Sequence, residues 1–248
     1  MRIERVDIYE VVVPDRPWAW SDEEFGMPDH RKDHNLIVVV HTDEGIEGLG
    51  ELALRGMDCA AVAVATAEWV GVDPLIQSAA PGPVASAAFE SAILDIRGKA
   101  LGCSVAELLG GAVRDRLLVS LCTGYKTVEN TAEDAIWGWE RGFRTYKMKC
   151  IVGTPHLKDR INYVADRVEA IHREVPEMDV RPDIRWRLEE VWAAEELARR
   201  LEGHRLDCLE SPISKQAHGG SYSEWHRLRQ RIAIPLADHV DDDRLLRG

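Results

Sequence analysis

Two rhythms of apolar and polar positions divide this chain. Residues 3–13 and 35–41 are rich in β-forming side chains, and Thr42-Asp43-Glu44-Gly45 supplies a turn into the run from Ile46 to Leu52. These spans predict an antiparallel meander. Between the first two runs lies 14–33, with Pro17, Trp18, Trp20, Phe25, Gly26 and Pro28, which reads as a long loop. Trp18 and Trp20 either form an apolar lid over a ligand or pack within their own loop. Phe89, Ile93, Ile96 and Ala100 recur at spacings of three and four, which predicts a helix over about 84–101 that Gly102 stops. Cys103-Ser104 then opens a short helical turn through Leu109, closed by Gly110-Gly111. The first part, 1–115, is thus expected to be an α+β domain with helices beside an antiparallel sheet.

From Leu117 the rhythm becomes strict alternation. Strands are expected at Leu118–Gly124, Thr145–Cys150, Met178–Asp183, Leu206–Ser211 and Ile232–His239, with helices near 130–141, 157–175, 188–202 and 221–230. Val191, Ala194, Leu197 and Leu201 share one face of the third of these helices. Such repetition over 116–248 builds a parallel sheet, either open and doubly wound or closed as a (β/α) barrel. No Gly-x-Gly-x-x-Gly follows a strand, so a dinucleotide crevice is not expected.

Composition narrows the function classes. With 248 residues, 45% hydrophobic and 30% charged, the chain has the make-up of a soluble globular protein. A net charge of −12 argues against a nucleic-acid surface. It leaves room for a small anionic substrate, because a local cationic site outweighs a distant acidic exterior once charges are screened over roughly 8–10 Å. Cys59, Cys103, Cys122, Cys150 and Cys208 are odd in number and show no Cys-x-x-Cys spacing. They read as reduced thiols of an intracellular protein. Charges interrupt the N-terminal run and no stretch reaches 18 uncharged apolar residues, so neither export nor membrane anchoring is expected and the cytoplasm is the expected compartment.

The chemistry gathers at strand ends. Lys147 and Lys149 stand two apart in Tyr146-Lys147-Met148-Lys149-Cys150, so on a strand both ammonium groups point to one side. If that side faces a cleft, two like charges depress each other's pKa, and a depressed lysine is a usable base at neutral pH. The alternative is a solvent-facing Lys-x-Lys on an exposed strand. Asp183, Glu210, and Asp238 with His239 end the next three expected strands. Any one of these acids could be a helix cap, but acids on successive strands facing two lysines form a constellation. Two carboxylates offer hard oxygen ligands suited to Mg²⁺. A cation opposite a lysine base stabilises the negative charge that grows when a proton next to a carboxylate is removed.

At these residues the chain resembles the enolase superfamily, and within it the mandelate racemase and muconate-lactonising group. The likeness runs from Ala92-Ile93-Leu94-Asp95-Ile96-Arg97-Gly98-Lys99-Ala100-Leu101-Gly102 through Leu108-Leu109-Gly110-Gly111 and Arg114-Asp115-Arg116 to the Lys147-Met148-Lys149 strand. It continues in Leu209-Glu210-Ser211-Pro212 and Ile234-Pro235-Leu236-Ala237. The resemblance implies an α+β capping domain followed by a TIM-type (β/α) barrel. It implies that Lys149 is the base for the proton α to a carboxylate, that Lys147 touches that carboxylate, and that Asp183 and Glu210 are the first two Mg²⁺ ligands. The third ligand falls at Asp238 or His239: alignment favours His239, ligand hardness favours Asp238, and adjacent strand residues face opposite ways. The capping domain, with Trp18, Trp20 and the Leu54-Arg55-Gly56-Met57 segment, would choose the substrate, Arg55 among its contacts. A symmetric homo-oligomer with a small sugar acid as its partner, and with neither nucleic acid nor membrane, is the expected setting.

The chain departs from the family pattern after Asp183, where Ile184-Arg185-Trp186 stands in place of an Asn two positions on. It also has room for only about five of the eight strands of a closed barrel, at roughly 30 residues per βα unit. The barrel is therefore expected to be incomplete, with two open edges and half of an apolar interior exposed. Two functional readings follow. One is a Mg²⁺-dependent lyase or epimerase, most simply an acid-sugar dehydratase, with racemase, dipeptide epimerase or cycloisomerase as alternatives that share the first step. The other is a catalytically incompetent fragment or structural relative lacking the second half of the barrel.

Overall fold

The computed structural model describes residues 1–14, 21–22, 32–53, 59–77, 85–150, 156–214 and 220–239. Trp18, Trp20 and Arg55, expected to contact substrate, lie outside the described residues. The chain forms two compact units; among the described residues one holds 1–14 and 32–117, the other 21–22 and 118–239.

In the first unit, β1 (Ile3–Pro14), β2 (Lys32–Thr42) and β3 (Glu47–Ala53) make an antiparallel sheet in the order β1-β2-β3. Leu36, Val38 and Val40 of the central strand alternate onto one face and are fully buried there. Helix α1 (Cys59–Ala67) contributes Val62 to the same core, and α2 (Ser86–Leu101) contributes Ala88, Phe89, Ala92, Ile93 and Ile96. Trp69 packs edge-on against Phe89 at 4.8 Å between ring centroids. Close approach of helix to sheet depends on two glycines of β3. A Cβ on Gly48 would meet the carbonyl oxygen of Ala92 at 2.2 Å, and one on Gly50 that of Ala88 at 2.1 Å. Gly102 ends α2 in the left-handed region, φ 67°, as its position predicts. The short α3 (Val105–Leu108) starts on a reciprocal Ser104–Glu107 capping box.

The second unit alternates β4 (Leu121–Thr123), α4 (Val128–Glu140), β5 (Thr145–Lys149), α5 (Leu157–Glu174), β6 (Asp179–Asp183), α6 (Val191–Arg200), β7 (Leu209–Glu210), α7 (Tyr222–Arg231) and β8 (Leu236–Ala237). The five strands lie side by side in chain order, every pairing parallel. One face of the sheet, with Leu121, Tyr146, Met148, Val180 and Leu209, is buried with the apolar stripes of α5 and α6. The opposite face is not the bare apolar half-interior expected of an unfinished barrel. It carries Lys147, Lys149, Arg181 and Asp183, and two further ion pairs run down it, Arg181 Nε to Asp207 at 2.6 Å and Arg205 to Asp179 at 2.9 Å. Alternation along β6 puts Asp179, Arg181 and Asp183 on one side, which is why the exposed face is ionic.

Two strands are shorter than their apolar runs suggest. The run from Leu118 becomes strand only at Leu121, the first residue with a partner on β5 (Tyr146), and Leu118 is 97% exposed. The run ending at His239 is reduced to Leu236–Ala237, because β7, which it pairs with, is itself two residues long. No helix among the described residues is long and apolar enough to cross a membrane.

Candidate active site

Parallel register sets the site. Lys149, Asp183, Glu210 and Ala237 are the last residues of β5, β6, β7 and β8, and they are consecutive partners across the sheet. One row of strand ends thus presents an amine and two carboxylates, and Asp238 and His239 follow directly. Lys147 stands one step down the same face, with Cys122 of β4 and Arg181 of β6 as its register neighbours.

The four charges interlock. Lys149 Nζ donates to Asp183 Oδ2 at 2.5 Å, and Lys147 Nζ donates to Glu210 Oε1 at 2.6 Å while lying 3.4 Å from Asp183 Oδ2. Both carboxylates are buried, Asp183 to 1% exposure, whereas the amines keep about a fifth of their surface open, 21% for Lys147 and 24% for Lys149. Burial pushes the Asp183 carboxyl upward, but the hydrogen bond from Lys149 and the charges of both lysines outweigh it and hold Asp183 below the usual carboxylate range. Burial likewise presses the Lys147 amine downward, yet its bond to Glu210 and the charges of Asp183 and Glu210 leave it above the ordinary lysine value. The expected mutual depression of the two lysines is therefore corrected at Lys147. The carboxylates of Glu210 and Asp183 stand 2.6 and 3.4 Å from the Lys147 amine, and their attraction outweighs the cost of its burial.

One polar atom is left over. Asp183 Oδ1 is buried and has no hydrogen-bond partner among the described residues. A buried carboxylate oxygen without a donor is costly unless a cation or a donor reaches it. Together with the Glu210 carboxylate beside it, this orphan oxygen is a donor set that fits a hard divalent cation. The two candidates for a third ligand separate. His239 Nε2 lies 3.7 Å from Glu210 Oε1 and its ring is tilted against Trp186 at 5.5 Å. Asp238 Oδ1 accepts instead from Ser211 Oγ at 2.8 Å and Trp186 Nε1 at 3.1 Å. No three His, Cys, Asp or Glu side chains among the described residues already converge on one point.

Sequence reasoning missed Cys122, Arg181, Ser211 and Trp186. The first two were recoverable by stepping back two residues from Thr123-Gly124 and from Asp183 along alternating strands. The last two occupy left-handed backbone, φ 49° at Ser211 and 63° at Trp186, for which no glycine or asparagine gives a signal.

Comparison with known proteins identifies the family. Residues 8–110 match the family pattern described as mandelate racemase / muconate lactonizing enzyme, N-terminal domain, and residues 130–239 match the one described as enolase C-terminal domain-like. The chain is 28% identical to muconate cycloisomerase 1 of Pseudomonas putida over 94% of its own length and 65% of that protein's. It is 30% identical to D-galactonate dehydratase of Variovorax paradoxus over 82% of its own length and 57% of that protein's. It thus spans less than two thirds of each of these relatives. The crystal structure of an enolase from Thermobispora bispora complexed with magnesium and formate superposes with a TM-score of 0.73 at 25% identity, covering 96% of this chain and 63% of that one. With both of its halves matched by the paired domains of a single group, this chain belongs to the mandelate racemase and muconate-lactonising family of the enolase superfamily.

Proposed function

We propose that this chain carries the proton-abstracting part of a Mg²⁺-dependent enzyme that acts on small carboxylates, and that the reaction is dehydration of an acid sugar. The observation that carries this reading is the register row: two lysines interlocked with two buried carboxylates at adjacent strand ends, with Asp183 Oδ1 still lacking a partner. Asp183 and Glu210 would hold the cation, with His239 the third candidate. When bound, the ion stabilises negative charge as it develops on the substrate carboxylate.

The chain's own residues do the rest. Lys149 Nζ is the base for the α-proton, and Lys147, held as an ammonium by its surroundings, orients the substrate carboxylate. An ionic sheet face suits a polyhydroxy acid better than an apolar diene acid, and a dehydratase of such an acid is among the relatives. Racemisation, dipeptide epimerisation and cycloisomerisation begin with the same proton removal. In this reading 1–115 is the capping domain, Trp18, Trp20 and Arg55 are candidate substrate contacts, and 116–248 supplies the first five of eight barrel strands of a cytoplasmic homo-oligomer.

The test is isotopic. In D₂O with Mg²⁺ and a panel of sugar acids, wild type is expected to wash deuterium into the carbon next to the carboxylate, and Lys149→Ala to lose that exchange by at least about 10³-fold. Unchanged exchange in the variant removes Lys149 from this role. A second reading, a catalytically incompetent relative, is favoured by the sheet order, in which β4 and β8 are the outer strands among the described residues. Under it, wild type exchanges no proton of any acid in the panel.

A further inference from the structure

Asp238 was a candidate cation ligand, yet its surroundings give it different work. The turn after Asp183 and the residue after Glu210 both hold left-handed backbone at non-glycine positions: Arg185 at φ 52°, Trp186 at 63° and Ser211 at 49°. Such conformations persist only where the surroundings over-determine them. Here the backbone amide of Trp186 donates to the Ser211 carbonyl at 2.6 Å, and that of Ser211 donates to the Ala237 carbonyl at 2.8 Å. A single oxygen then fastens both residues from the side: Asp238 Oδ1 accepts from Trp186 Nε1 at 3.1 Å and from Ser211 Oγ at 2.8 Å. One of the two residues lies three positions after Asp183 and the other directly after Glu210.

We propose that Asp238 is a positioning residue and not a cation ligand: its carboxylate ties the left-handed turns behind Asp183 and Glu210 and so fixes the spacing of those two acids. The inference rests on the reading above that Asp183 and Glu210 hold a divalent cation, and it assigns the ligand position next to them to His239, which points toward Glu210. Asp238 holds the Trp186 indole through its carboxylate while the His239 ring packs on the same indole and brings Nε2 within 3.7 Å of Glu210 Oε1, so the two residues divide the work.

An amide oxygen can accept the same two bonds without bringing a negative charge, so asparagine separates the two roles. In metal-free protein, Asp238→Ala is expected to speed hydrogen exchange at the Trp186 amide and the Trp186 indole by about tenfold, the scale of one or two lost hydrogen bonds, and Asp238→Asn to stay within about threefold of wild type. Ser211→Ala, which removes one donor and leaves the carboxylate, is expected to fall between them. Mg²⁺ titration by calorimetry should follow the same order, with affinity about tenfold weaker in Asp238→Ala and nearly unchanged in Asp238→Asn.

Three results overturn the proposal. Exchange unaltered in Asp238→Ala means there is no tie. An Asp238→Asn protein that loses Mg²⁺ as completely as Asp238→Ala means the charge itself is a ligand. Loosened turns with unchanged Mg²⁺ affinity mean the tie does not position the acids. Wild type that binds no Mg²⁺ overturns both the functional reading and the assignment of these acids, while the metal-free exchange rates still decide whether the tie exists.

Discussion

At His172 a carbonyl decides where a proton sits. His172 Nε2 lies 2.9 Å from the Met178 oxygen, which can only accept, so this nitrogen carries the proton. Nδ1 of the neutral ring is then the acceptor for His204 Nδ1–H at 2.9 Å. Burial, reinforced by the neighbouring His204, lowers the His172 pKa below the ordinary imidazole value. A base whose folded pKa is depressed contributes stability that is present above its unfolded pKa, near 6.5, and lost as pH falls through the folded value. Wild type is therefore expected to lose stability as pH falls below about 6.5 more steeply than His172→Gln, read by urea denaturation at a series of pH values. Parallel slopes would deny the pair this role. The lysine pair belongs to what the sequence made legible, because alternation alone sends Lys147 and Lys149 to one side. The charge balance did not, since it depends on Asp183 and Glu210 arriving at the same register from 34 and 63 residues away.

Among elements, α2 and β3 fit because β3 gives up side chains where the helix backbone arrives. Gly50→Ala would set a methyl 2.1 Å from the Ala88 carbonyl, a backbone atom that cannot turn aside. The expected loss is about 1–3 kcal/mol of unfolding free energy by chemical denaturation, the usual cost of overpacking. An unchanged midpoint would mean that the sheet and helix move apart freely. Helix α2 was legible from its apolar spacing, and α4 to α7 from theirs to within a few residues. Helix α1 was not. Cys59–Ala67 reads Cys-Ala-Ala-Val-Ala-Val-Ala-Thr-Ala, with no charged face to give the 3.6-residue period away. The short β4 and β8 were overestimated for the converse reason, since an apolar run states burial and β-propensity but not how far a neighbouring strand extends to pair with it.

On the scale of the whole second unit, among the described residues β4 and β8 are the edges of the sheet and helices cover one of its faces. Backbone hydrogen bonds at its centre are shielded on both sides, and those at its edges are not. Amides of Met148 and Val180 are expected to exchange at least about 100-fold more slowly than that of Cys122 at the β4 edge, as measured by hydrogen–deuterium exchange. Equal protection would mean that another strand, from the same polypeptide or a second copy, covers that edge. The parallel order was legible in the alternation of strands and helices. The ionic character of the uncovered face was not, because it emerges only when alternation is read backward from Asp183 through Arg181 to Asp179. Because Lys149, Asp183 and Glu210 each close a strand, the segments that follow them start beyond these charged groups. Those segments can be lengthened, shortened or exchanged while the sheet keeps the amine and the acids in step, so a single ionic scaffold can serve many different mouths.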